Sequence, residues 1–218
     1  MADDEAPRGT TVSRGAEATL RAADWWGFPA LVKERELKGY RPKPLDDRLR
    51  RERTRTEARL LVDARHLRVR TPILYDIDLL HHRLILERLP GATLKEILED
   101  PALFPATVEA AVRAFGSALG RLHAGGISHG DLTSSNVLFP EGPEGPPAFL
   151  DLSMGARSAG IEELGIDLHL VEEDLKSLHP QGEKLVKIFL EGYSVSHPRG
   201  HAEVLARAKV IRGRVRYA

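Results

Sequence analysis

An α+β chain in two lobes is what this sequence predicts: a β-rich N-terminal lobe carrying one helix, then a reduced helical lobe. Three observations predict it. Up to residue 89, short apolar runs bounded by turn signals flank one long, charged, helix-forming stretch. After Pro90-Gly91 the apolar residues recur at helical spacing. Within that second half, the polar run I-S-H-G-D-L-T-S-S-N (residues 127–136) leads into a short apolar segment that closes on a second acid, Asp151.

The elements follow in order. Residues 1–11 read as a flexible start. Residues 12–24 alternate around Arg14-Gly15-Ala16-Glu17, as a hairpin does. Trp26-Gly27-Phe28-Pro29 reads as a turn and residues 30–33 as a strand. Pro42 and Pro44 then open a helix of about four to five turns, with Asp46 and Asp47 suiting the positive end of its dipole. Residues 73–75 and 84–86 supply two more strands, for a five-stranded sheet with one helix. Helices are expected at 94–98, at 108–123 with a stripe of Val108, Val112, Phe115, Leu119 and Leu122, and then at 161–178, 184–193 and 202–208. The run P-E-G-P-E-G-P-P (residues 140–147) is a stiff connection between two short strands. Four spans result: 1–11, a first lobe at 12–89, a second at 90–209 and a basic tail at 210–218.

Composition narrows the class. With 218 residues the chain builds one large domain or two small lobes, and 42% hydrophobic with 29% charged residues is ordinary for a globular protein. No apolar run approaches the roughly 18 residues of a membrane span. The start, M-A-D-D-E-A-P-R-G-T, lacks a basic region followed by an apolar one, so neither a secretory signal nor a membrane contact is expected. There is no cysteine, which excludes disulfides and thiolate zinc sites and is compatible with a cytoplasmic location. Net charge is zero but unevenly placed. Residues 33–59 hold eleven Lys/Arg against six Asp/Glu, residues 199–218 six against one, and residues 160–175 six acids and no Lys or Arg. Such blocks are either solvated faces or surfaces for charged partners.

The chemistry lies in spacing. Phosphoryl transfer from ATP needs an acid near the attacking oxygen and further oxygen donors that hold Mg²⁺ against the phosphates. Asp131, Asn136 and Asp151 stand at the separations of a protein-kinase catalytic loop and its metal-binding strand. Asp131 is the expected base or nucleophile-orienting group, and Asn136 and Asp151 are the expected Mg²⁺ ligands, hard oxygen donors suited to that ion. Lys33 ends an apolar strand and needs a partner; Glu57 on the following helix is the candidate, with Glu52 turned to another face. Such a pair would grip the α and β phosphates, the alternative being a surface ion pair. His129 is expected to brace the loop from the core. The phosphate-covering loop is weak: a full G-x-G-x-x-G is absent, and only Gly15, with Ala16 beside it, sits in the right hairpin. Backbone groups of Glu87 and Leu89 are the expected hinge contacts to adenine. These residues together predict a minimal bilobal protein-kinase-like fold.

The chain also resembles the small atypical kinase of the KEOPS complex, in its archaeal single-domain form. The resemblance rests on R-G-A-E-A at residues 14–18, V-K-E-R-x-x-K-x-Y-R-x-x-x-L-D at 32–46, R-T-x-x-E-A-R-L-L at 53–61, H-G-D-L-T-S-S-N, I-E-E-L-G-I-D-L at 161–168 and R-G-R-V-R at 212–216. It implies ATP and Mg²⁺ as cofactors. It further implies a mainly ATP-hydrolysing kinase with serine autophosphorylation as a side activity, acting in threonylcarbamoyladenosine modification of tRNA. Partners would be the threonylcarbamoyl-transferase subunit and other KEOPS subunits, with tRNA met through the basic C-terminal tail. On this resemblance Lys33, Glu57, Asp131, Asn136 and Asp151 fall on the family's lysine, helix glutamate, catalytic aspartate and two metal ligands. The chain departs from the family at Leu152-Ser153, where Phe-Gly is usual, at Leu164, usually lysine, and at Lys43, usually proline.

Gly130 stands where many kinases have an arginine, only fifteen residues separate Asp151 from Asp167, and no A-P-E lies between. Water, or a hydroxyl brought by a partner, is then favoured over a docked peptide as acceptor. Two other readings stay open: a small-molecule phosphotransferase of the aminoglycoside-kinase type, and a nucleotide-responsive, non-catalytic scaffold.

Overall fold

The computed structural model describes residues 10–15 and 17–215. Its first lobe holds strands β1 (Thr11–Arg14), β2 (Thr19–Trp25), β3 (Phe28–Glu34), β4 (Leu74–Asp78) and β5 (Arg83–Glu87). They form an antiparallel sheet in the order β1-β2-β3-β5-β4. The β2–β3 connection is tighter than the sequence suggests. Trp26 and Gly27 both take positive φ, 55° and 86°, and Asp24 Oδ1 accepts from the Gly27 N–H at 2.8 Å. A two-residue turn of this kind matches strand twist, so Phe28 and Pro29 belong to β3 rather than to the turn. Pro29 donates nothing, but its carbonyl accepts from Arg88 N–H at 3.0 Å.

Helix α1 (Lys43–His66) packs against this sheet. At 24 residues it exceeds the expected four to five turns, because its buried stripe of Thr54, Glu57, Ala58, Leu61 and Ala64 continues to a cap at Leu67.

The second lobe begins with β6 (Ala92–Thr93) and α2 (Leu94–Glu99). Thr93 and Glu96 form a reciprocal capping box there. Then come α3 (Pro105–Ala124), β7 (Ile127–Ser128), a 3₁₀ turn (Ser134–Asn136), β8 (Val137–Phe139), β9 (Ala148–Phe149), β10 (Ala156–Arg157), α4 (Ile161–Leu178), α5 (Gly182–Ser196) and α6 (His201–Val215). The boundary placed after Lys209 falls inside α6, whose helical backbone runs on to Val215.

Phe115, Phe149, Phe189 and Tyr193 anchor the core, with the Phe115 and Phe189 rings 4.9 Å apart. Each such side chain contributes about 1.5–3 kcal/mol on burial. Helices α3 and α5 cross closely because Gly116 and Gly192 face backbone: a Cβ at Gly116 would lie 2.0 Å from the Phe189 carbonyl oxygen, one at Gly192 2.2 Å from that of Arg113. The lobes meet where Phe149 N–H donates to the Arg70 carbonyl at 2.9 Å.

Candidate active site

Between the sheet and the loop that follows β7 lies a cavity of about 530 Å³, within the size range of small-ligand sites. Lys33, Glu57, Glu87, Leu89, Asn136 and Asp151 all line it.

Lys33 enters from β3 with its side chain 8% exposed. Its ammonium lies 2.7 Å from Glu57 Oε1 and 2.8 Å from Asp151 Oδ1. A buried ammonium is tolerated only with such counter-charges. Glu57 reaches it because that position falls on the buried stripe of α1, whereas Glu52 is exposed and lies 3.9 Å from Arg48. Arg35 completes the cluster. One step of the two-residue strand period beyond Lys33, it donates from Nη2 to Glu57 Oε2 at 2.5 Å and is itself buried. Sequence reasoning missed Arg35, although Lys-x-Arg at the end of a strand was the signal.

Asp151 follows β9 with φ of 53°, a conformation costly for a residue with a side chain. Burial would push its carboxyl up. The Lys33 ammonium, the Ser153 side chain and Arg35 outweigh that effect and hold it well below the usual carboxylate range, hence ionised at neutral pH. Leu152, which stands where the resembled family has Phe, is fully buried. A turn closed by Gly155 N–H on the Leu152 carbonyl, 3.1 Å, replaces the missing Gly.

Asn136 ends the 3₁₀ turn. Its Nδ2 donates to the Asp131 carbonyl at 2.8 Å, and its own carbonyl accepts from Leu150 N–H at 2.9 Å. The Asp131 loop is thereby tied to the chain that delivers Asp151. Asp131 itself is exposed and does not line the cavity. The donor set fits Mg²⁺: an ionised Asp151 carboxylate and the Asn136 Oδ1, whose Nδ2 is taken up by the Asp131 carbonyl, are hard oxygens of two residues that line the cavity.

The loop before Asp131 hangs on one buried acid. Asp167, on α4, accepts His129 N–H at 2.6 Å and Gly130 N–H at 2.8 Å. His123 Nε2 donates to Asp167 at 3.2 Å, and Tyr193 Oη meets His123 Nδ1 at 2.9 Å. The signal for Asp167 was present: an acid between Leu164 and Leu168 on the apolar face of a helix. His129 is buried, with Nε2 donating to the Leu150 carbonyl at 2.9 Å and its pKa pushed down by burial. Gly130 has φ of 81°, and a Cβ there would lie 2.1 Å from the Met154 carbonyl oxygen, so an arginine does not fit this loop.

Gly15 lines the cavity, and its N–H closes the hairpin on the Ala18 carbonyl at 3.0 Å. Ala16 lies outside the described residues. Glu87 N–H is bonded to the Ile73 carbonyl at 2.8 Å, which leaves the Glu87 carbonyl as its backbone group for a base. Leu31, Leu86, Leu138 and Leu150 supply apolar walls.

The C-terminal basic residues sit elsewhere. On α6, Arg207 and Arg214 pair with Glu162, and Arg212 Nη2 lies 2.6 Å from Glu172 Oε2. The basic and acidic blocks are thus partly each other's partners; Arg216 lies outside the described residues. No helix among the described residues is long and apolar enough to cross a membrane.

No family model matches the chain. It is 36% identical over 208 residues to the probable bifunctional tRNA threonylcarbamoyladenosine biosynthesis protein of Methanothermobacter thermautotrophicus, covering 94% of this chain and 36% of that protein. Its counterparts in Methanosarcina mazei and Halobacterium salinarum are each 37% identical, over 214 and 211 residues, 97% of this chain and 36% of theirs in both cases. The chain therefore spans about a third of the length of the curated relatives it matches. Among solved structures it is similar to the Rio2 kinase–ADP/Mg²⁺–phosphoaspartate complex from Chaetomium thermophilum, with a TM-score of 0.63 at 13% identity, over 99% of this chain and 73% of that one. The fold is protein-kinase-like.

Proposed function

We propose, from the homology of this chain to one third of the archaeal bifunctional tRNA threonylcarbamoyladenosine biosynthesis proteins, that it is an atypical serine/threonine kinase whose main reaction is ATP hydrolysis. It supports threonylcarbamoyladenosine modification of tRNA beside a threonylcarbamoyl-transferase and other KEOPS subunits, in the cytoplasm. The observation that carries the reading is the lysine bridge: Lys33 joins Glu57 and Asp151 on the wall that also bears Asn136.

On this reading the apolar walls and the backbone of Glu87 and Leu89 hold the adenine, and Gly15 and Ala16 border the phosphates. Mg²⁺ supplies charge neutralisation of the phosphates when bound. Asn136 and Asp151 would offer it oxygen donors, and Lys33, held by Glu57, would donate to phosphate oxygens. Asp131 orients the attacking water or takes its proton. Its exposure suits an acceptor that arrives from solvent or from a partner. Among the described residues the C-terminal contact to tRNA then falls to Lys209, since Arg207, Arg212 and Arg214 are already ion-paired.

Phosphate release from Mg·ATP, with and without the transferase subunit and tRNA, tests the proposal. Asp131→Asn is expected to lower turnover at least about 100-fold. Undiminished turnover would count against any catalytic role for that loop.

A further inference from the structure

The outward face of α1 carries Arg51, Arg55 and Arg59, all exposed and spaced four residues apart. Successive members are one helical turn, about 6 Å, apart, so the three form a stripe of about 12 Å. Among the described residues none of the three has an ion pair or hydrogen bond. Arg48 and Arg65 share that face, and its two acids are engaged by other arginines, Glu52 by Arg48 at 3.9 Å and Asp47 by Arg50 at 2.5 Å. Like charges at this spacing weaken a helix. The contrast with α6 is direct: there Arg207, Arg212 and Arg214 rest on Glu162 and Glu172, whereas among the described residues Arg51, Arg55 and Arg59 of α1 have no such acid. Glu57 points from the opposite face, so the stripe is separate from the cavity.

We propose that the Arg51–Arg55–Arg59 stripe is a docking surface for the phosphate backbone of tRNA. Three guanidiniums in a line offer paired donors to successive phosphate oxygens, a geometry that lysine supplies less well. The identity of the polyanion rests on the tRNA-modification reading above; the existence of an unneutralised cationic stripe does not. The surface reads charge and shape rather than sequence, so it positions the RNA backbone.

The experiment measures binding of an unmodified tRNA transcript by the full chain across a salt series. Variants are the triple Arg51→Gln/Arg55→Gln/Arg59→Gln, its Arg→Lys counterpart, and Arg207→Gln/Arg214→Gln on α6. The glutamine triple is expected to lower affinity at least tenfold and to flatten the slope of log affinity against log salt by about two to three, near one per lost phosphate contact. The lysine triple should keep most of the slope, and the α6 pair should change it by less than one. ATP turnover by the isolated glutamine triple, and its melting temperature, should match the parent. Unchanged tRNA affinity and slope overturn the proposal. So does loss of transferase-subunit binding with tRNA binding intact, which would assign the stripe to an acidic protein surface. Absence of ATP turnover in the parent chain would sink the kinase reading while leaving the salt series to decide this one.

Discussion

Glu57 serves two cations with one carboxylate, Oε1 to Lys33 and Oε2 to Arg35. The arithmetic of charge explains why that matters. Lys33 alone would face two carboxylates, Glu57 and Asp151; with Arg35 the buried cluster is two cations against two anions. Lys33 is then free to exchange Asp151 for another anion while Glu57 stays in place. Arg35 is a positioning residue on this account, and Arg35→Met is expected to raise the KM for ATP about tenfold with a smaller fall in kcat. Arg35→Lys should restore part of it, and a stability loss of about 2–3 kcal/mol should accompany the methionine variant. An unchanged KM with the same stability loss would reduce Arg35 to a structural ion pair. Lys33 and Glu57 were legible in the sequence because the lysine stood out against an apolar strand. Arg35 carried a weaker signal, its strand spacing from Lys33, because an arginine beside a charged loop looks solvated until α1 is seen to cover it.

At the scale of elements, the loop carrying Asp131 is held from below by α4. Asp167 spans it with both oxygens, Oδ1 on Gly130 N–H and Oδ2 on His129 N–H. An Asp167→Asn change leaves one loop N–H facing an amide that cannot accept it. Turnover is expected to fall about 10- to 100-fold with the KM for ATP nearly unchanged, because the lysine cluster is untouched. Single-turnover kinetics would separate the two; a matched rise in KM would show that α4 also sets the nucleotide site. The helices of this lobe, and the sheet of the other, were legible from periodicity because each buries one regular face. What periodicity does not carry is which loop a buried acid will reach: residues 123, 129, 130 and 167 are brought together only because α3 and α4 both pack against β7. The same holds for α6. Its positive sign and the negative sign of α4 were both visible in the sequence, but not that the two faces meet.

Over the whole molecule, burial of histidines sets an acid limit. His82, His129 and His197 each have their pKa lowered, with burial the largest cause in every case. In the unfolded chain each would titrate near 6.5. The unfolded state therefore binds more protons below that value than the folded state does, and stability rises with pH through this window. Stability should be flat above about pH 7 and fall progressively below about 6.5. A second loss follows at lower pH, once the unfolded-state value of Asp151 near 3.9 is passed, because its folded pKa is depressed as well. Urea midpoints at pH 7.5, 6.5 and 5.5 measure the first step. His197→Gln, at a half-buried position, is expected to remove part of that slope without disturbing His129 in the interior. A midpoint independent of pH between 7.5 and 5.5 would mean that these rings take up protons in the folded protein, and that the loop braced by His129 opens far more readily than its packing implies.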